Sequence, residues 1–194
     1  MDILNEMRFY EKHGKIPMNC IREAVWQQAL FEDSLDEEAD TADPETAQVL
    51  RDIEAGNYIR NDYESFSKEL QRNKRSQFLT PYTPQDLQDG NVQTFQVPGH
   101  EIGFGLKPLR NGNVDIVAVH NNTNLRGIGK PLIQSAIKLG GTTLDHYDGF
   151  LSGFYSKLGF KETERWPWDD DYAPKDWDKE RYGTPDVVLR KLER

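Results

Sequence analysis

The chain has 194 residues, one cysteine and a formal charge of −9. That length fits one domain with room for an appendage, and it is enough to bury a core. An excess of 33 acidic over 24 basic side chains argues against a broad nucleic-acid face. Lone Cys20 forms no internal disulfide and points to a reducing, cytoplasmic setting. No apolar run is long enough to span a membrane, and the Met1–Glu6 start lacks a basic-then-apolar signal pattern.

Charge divides the chain. Residues 1–75 carry 10 basic and 17 acidic side chains, residues 76–165 carry 8 of each, and residues 166–194 carry 6 and 8. The acidic first third reads as helices. Ile3, Leu4, Met7 and Tyr10 have helical spacing over Met1–His13, and Gly14 ends that run. Asn19 caps a second candidate helix carrying Ile21, Val25 and Leu30. Residues 32–45 are mostly acidic and read as a solvated segment. Asp43-Pro44 predicts a capped helix running to Glu54, stopped by Gly56. A further helix is predicted from about Tyr58 to Lys74 through Ile59, Tyr63, Phe66 and Leu70.

The period then changes. Extended runs are predicted at Thr94–Val97, Ile102–Leu106 and Val114–Val119, with turns at Pro98-Gly99 and Asn111-Gly112. A polar loop and Arg126-Gly127-Ile128-Gly129 lead into a helix over Lys130–Leu139. Thr142–Tyr147 suits a strand, Phe150–Leu158 a helix, and Lys161–Trp166 and Val187–Leu192 two final strands. The order β-β-β-α-β-α-β-β predicts an α+β fold with a mixed central sheet. The domain boundary falls near residue 77, between a helical acidic region (1–77) and the domain 78–194.

Strand, glycine loop and helix form the segment that carries chemistry. Glycines after a strand let several N–H groups face one point, and the helix adds its positive end, which suits a diphosphate. Taken alone, the loop reads equally as a tight turn. In context, Asn124-Leu125-Arg126-Gly127-Ile128-Gly129 resembles the acetyl-CoA loop of the GNAT superfamily of N-acetyltransferases. Phe154-Tyr155-Ser156-Lys157-Leu158-Gly159-Phe160 resembles a second motif of that superfamily, and Glu101–Gly105 one of its strands. Asn124 stands where the family has Gln or Arg, and the loop after Val119 is about two residues longer. The runs Gly140–Asp145, Asp148-Gly149 and Pro185–Val188 resemble a GNAT-like group of bacteriophages and mobile elements.

The resemblance implies a GNAT-like sheet flanked by helices, with acetyl-CoA as the group donor and an amine acceptor. It implies donor contacts from Val119, Arg126, Gly127, Ile128, Gly129, Lys130 and Asp148. Tyr155 is implied as the acid that protonates the departing thiolate; the residue-level alternative is a core tyrosine packed on Phe154. His120, Asp145 and His146 are candidate bases, with ordinary strand-end residues as the alternative. Asp115 reads as a paired structural carboxylate or a solvent-facing one. Trp166, Trp168 and Trp177 among five aspartates could hold a cationic amine or pin a surface loop, and the spacing lacks a calcium-loop pattern, so no metal is expected. A second functional reading is a non-catalytic phage protein, in the virion or host cytoplasm, with residues 1–77 docking a protein partner.

Overall fold

The computed structural model describes residues 39, 41, 43–73, 82–173 and 177–193. The helices predicted over Met1–His13 and after Asn19 lie outside the described residues. Helix α1 (Pro44–Ala55) begins where the Thr46 N–H donates to Asp43 at 2.8 Å and ends at Gly56 in the left-handed conformation. It buries Val49 and Ile53. Helix α2 (Tyr63–Arg72) is capped by Asp62, whose carboxylate accepts from the Ser65 N–H at 2.8 Å. The predicted helix beginning at Tyr58 is therefore shorter. Ile59 instead forms an antiparallel bridge with Gln96, and the Asp62 cap starts the helix four residues later. Helix α3 (Pro84–Asp89) opens with a reciprocal capping box between Thr83 and Asp86.

The remaining elements keep the predicted order: β1 (Gln93–Gln96), β2 (Ile102–Pro108), β3 (Val114–Asn121), α4 (Gly129–Lys138), β4 (Thr143–Tyr147), α5 (Phe150–Lys157), β5 (Phe160–Trp166) and β6 (Val187–Leu192). A short helix, α6 (Lys179–Tyr182), lies in the β5–β6 connection. The sheet order is β1-β2-β3-β4-β6-β5. Only β3 and β4 run parallel; the other neighbours are antiparallel. The α+β expectation of a mixed central sheet flanked by helices holds.

Register assigns the faces. Asp115 pairs with Thr143 and lies opposite Lys107, so these side chains share one face with Asp145, two residues beyond Thr143. Ala118 sits at φ +51°, and the β2–β3 register shifts between Gly103 and Gly105. That bulge advances the alternation by one residue and returns His120 to Asp115's face. Helix α2 covers this face through Phe66, whose ring meets His120 at 5.1 Å. The opposite face carries α5, where Tyr155 meets His146 and Phe160. It also carries α4, with α1 packed beside it. No helix among the described residues is long and apolar enough to cross a membrane.

Ile53 is 1% exposed and its carbonyl accepts from Ser135 of α4 at 3.4 Å. Ile53→Ala should cost about 3 kcal/mol. In calorimetry this lowers a single melting transition by about 6–12 °C. A second, separate transition would show that α1 is not part of the cooperative unit.

Candidate functional site

The sheet is nearly divided between β3 and β4. Asp115 and Thr143 are their only register pair, flanked by the Thr142 N–H donating to Val114 O at 2.8 Å. Beyond that point the strands diverge, and Ile116–Asn121 faces Leu144–Tyr147 without a ladder. Parallel neighbours normally continue pairing, because buried backbone groups need partners. An extended ligand arm between the strands would meet those groups.

One wall of this opening is held by a buried polar clamp. His120 is 0% exposed. Its Nδ1 lies 3.0 Å from Ala118 O and its Nε2 3.1 Å from Glu69 Oε2. Glu69 Oε1 also accepts from Asn61 at 3.0 Å and Gln96 at 2.9 Å. The bulge carbonyl is thereby tied to α2. Sequence reasoning offered His120 as a proton acceptor; both of its ring nitrogens are engaged in this clamp. Gly103 is required beneath it, since a Cβ there would lie 2.3 Å from Phe95 O and 3.1 Å from the His120 ring.

At the open end, Asn121 and Thr123 hold the longer loop by local bonds. Asn121 Oδ1 accepts from the Thr123 N–H at 2.9 Å, and its Nδ2 donates to Leu125 O at 2.8 Å. Gly127 follows at φ +73°. Helix α4 then starts at Gly129 after the N-cap residue Ile128, and no side chain caps its N-terminus. Uncapped N–H groups with a helix dipole behind them favour an anion. Arg126 and Lys130 are exposed beside the loop. The backbone of Ala39 also reaches it: a Cβ on Gly127 would lie 2.4 Å from Ala39 N.

Where β3 and β4 meet, two buried carboxylates come together. Asp115 is 8% exposed and Asp145 is 6% exposed, and both line a cavity of about 230 Å³. Glu164 and Trp166 complete its wall from β5, with the Trp166 indole N–H donating to Glu164 at 3.1 Å. Burial pushes the Asp115 carboxyl up to about 6, against the Thr143 hydroxyl that donates to it at 2.8 Å and the Lys107 charge. Sequence reasoning did not select Asp115. Strand alternation made its face legible, but its adjacency to Asp145 depends on the β3–β4 register.

The other predicted residues separate. Tyr155 is fully enclosed on the opposite face, its ring 5.2 Å from both His146 and Phe154. His146 accepts from Arg190 Nε at 2.7 Å, and its Nδ1 lies 2.6 Å from Tyr147 O. Burial lowers its pKa to about 4, so the ring stays neutral. Asp148 accepts from the Gly149 N–H and Ser152 and pairs with Arg165, which hold its carboxyl below the usual range. It precedes Gly149, the N-cap of α5. Trp168 and Trp177 pack tilted against Tyr147, with centroids at 5.8 and 4.8 Å, and against each other at 5.0 Å. These ring contacts hold the β5–β6 connection against the end of β4. Among the described residues no cluster has the ligands for a metal ion.

No family model and no curated protein matches this chain. Solved structures are similar to the chain, among them the following three. An IAA acetyltransferase from Bacillus cereus ATCC 14579 is 19% identical over 71% of this chain and 98% of that one, with a TM-score of 0.49. A Bacillus subtilis acetyltransferase in complex with CoA is 18% identical over 71% and 97%, at 0.47. A protein described as a phosphinothricin N-acetyltransferase is 15% identical over 71% and 99%, also at 0.47.

Two buried groups titrate in opposite directions. The folded chain holds the Asp115 proton above 3.8, so its contribution to stability is full below pH 4 and is lost as pH rises through 6. The neutral His146 contributes fully above pH 6.5, and that contribution is lost as pH falls through 4. In melting scans, Asp115→Asn should remove the first effect, so its melting temperature climbs more steeply from pH 4 to 6 than the parent's. Gly127→Ala should cost more than the ~1–2 kcal/mol of a left-handed alanine, because Ala39 blocks the added methyl.

Proposed function

We propose that the chain is a GNAT-type N-acetyltransferase that moves an acetyl group from acetyl-CoA to an amine by direct attack. The observation that carries this reading is the β3–β4 opening, which leads from an anion-suited helix N-terminus to a buried carboxylate pair. In this reading the N–H groups of Ile128, Gly129 and Lys130 hold the diphosphate, with Arg126 beside them. The backbone of β3 at Val119 aligns the pantetheine arm along the opening.

The acceptor enters from the Asp115 cavity. An ammonium gives one proton to the Asp115 carboxylate, whose elevated pKa suits a base at neutral pH. The freed nitrogen lone pair forms a bond to the thioester carbon. The C–S bond then breaks, its electron pair stays on sulfur, and the Tyr155 hydroxyl supplies the proton that completes the thiol. The amide nitrogen sheds its second proton, which returns through water to the phenolate, and water accepts the one held by Asp115. Asp145 lines the same cavity from β4. His120 acts in this scheme by positioning the bulge at Ala118. The alternative of a non-catalytic phage protein has no specific observation in its favour.

Acetyl-CoA at about a hundred times its dissociation constant should stabilise the chain by about 2.7 kcal/mol. A melting scan reads this as a rise of roughly 5–10 °C that Gly129→Glu abolishes. Asp115→Asn should keep that rise and lower kcat by about 10²–10⁴. An unchanged melting temperature with acetyl-CoA would overturn the proposal.

A further inference from the structure

We propose that Arg190 is an electrostatic positioning residue for Tyr155: a buried guanidinium, left without a carboxylate partner, sits beneath α5 and favours loss of the Tyr155 phenolic proton. The inference rests on the reading of Tyr155 as the proton donor and deepens it.

Arg190 stands on β6 and is 6% exposed. Its Nε donates to His146 Nε2 at 2.7 Å. One terminal nitrogen donates to Ser156 Oγ at 3.0 Å and to Phe160 O at 3.3 Å. All three acceptors are neutral. Among the described residues no carboxylate forms an ion pair with it. A buried charge without a counter-ion destabilises the fold, and a packed apolar side chain would avoid that cost.

The nearby carboxylates are committed elsewhere. Glu162 on β5 forms a two-pronged pair with Arg165, at 2.9 Å for each bond. Asp148, at the end of β4, also pairs with Arg165, and Asp186 lies 3.4 Å from the same guanidinium. These groups, Arg165 and His146 face Arg190 from β4, β5 and the entry to β6, and Asp115, Asp145 and Glu164 line the cavity that Arg190 also borders. Glu162 and Asp148 act on Arg190 only through space, and burial still lowers its pKa.

The contacts of Arg190 lead to α5. Ser156 follows Tyr155 directly in the helix. The His146 ring lies between the guanidinium and the tyrosine, 5.2 Å from the Tyr155 ring and tilted by 38°. His146 accepts from Arg190 and remains neutral, so it does not oppose the guanidinium charge. A phenol enclosed in apolar surroundings resists ionisation; a nearby cation offsets that resistance. Such a field stabilises the charge that develops on the phenol during proton donation.

The test replaces Tyr155 in the full chain with a difluorotyrosine, whose phenol titrates near neutrality, and follows it by fluorine NMR. Arg190→Met should raise that phenol's pKa by about one unit or more. Arg190→Lys should keep it close to the parent value. Arg190→Gln removes the charge but retains a donor, and serves where the methionine variant does not fold. An unchanged phenol titration in the uncharged variant would overturn the inference. In acetyl transfer, the uncharged variant should lose about tenfold or more in kcat, with KM for acetyl-CoA preserved. A shifted phenol in a parent chain that transfers no acetyl group would uphold the Arg190–Tyr155 coupling and reject the catalytic reading.

Discussion

Parallel strands in a buried sheet normally continue pairing, yet β3 and β4 share only the Asp115–Thr143 position. Much of the structure answers that divergence. The αL residue Ala118 bends β3 away at a cost of about 1–2 kcal/mol. His120 and Glu69 hold its carbonyl and tie the bent strand to α2. On the far side, β4 is fastened to β6 along its whole length, from Thr143–Lys191 to Tyr147–Val187. The opening is therefore bounded by two well-supported walls. Its width is set by side-chain packing on the two faces of the sheet.

Charge is distributed unevenly around those walls. On one face, Asp115 and Asp145 are buried near the vertex, and desolvation raises the Asp115 pKa. On the other, Arg190 lies buried among neutral acceptors beneath α5. Surface pairs such as Lys68–Glu64 are exposed and add little by comparison.

Local signals made most of the fold legible. Asp43-Pro44 and Gly56 bracket α1, and Asn111-Gly112 sits at the turn joining β2 and β3. Tyr58–Asp62 misled because Ile59 and Tyr63 fit a helical spacing, whereas the bridge to Gln96 and the Asp62 cap were stronger. Helix α3 was missed because six residues give no period; its only signal was Thr83-Pro84-Gln85-Asp86. The site was less legible. The bulge at Ala118 carries no glycine to mark it and depends on Glu69, far away in the chain. The Asp115–Asp145 pairing needs a register that neither strand encodes alone, and the isolation of Arg190 depends on Arg165 taking its nearest carboxylates.

The packed rings at the end of β4 give the chain an internal optical probe. Trp166, Trp168 and Trp177 are three of its four tryptophans. Trp168 and Trp177 rest on Tyr147, the last residue of the strand that forms one wall of the opening. The Trp168 indole N–H meets the Asp170 carboxylate, and Lys179 pairs with the same group. Ultraviolet emission from this chain is therefore weighted toward one corner of the fold. Its colour and intensity register how tightly the β5–β6 connection lies against β4.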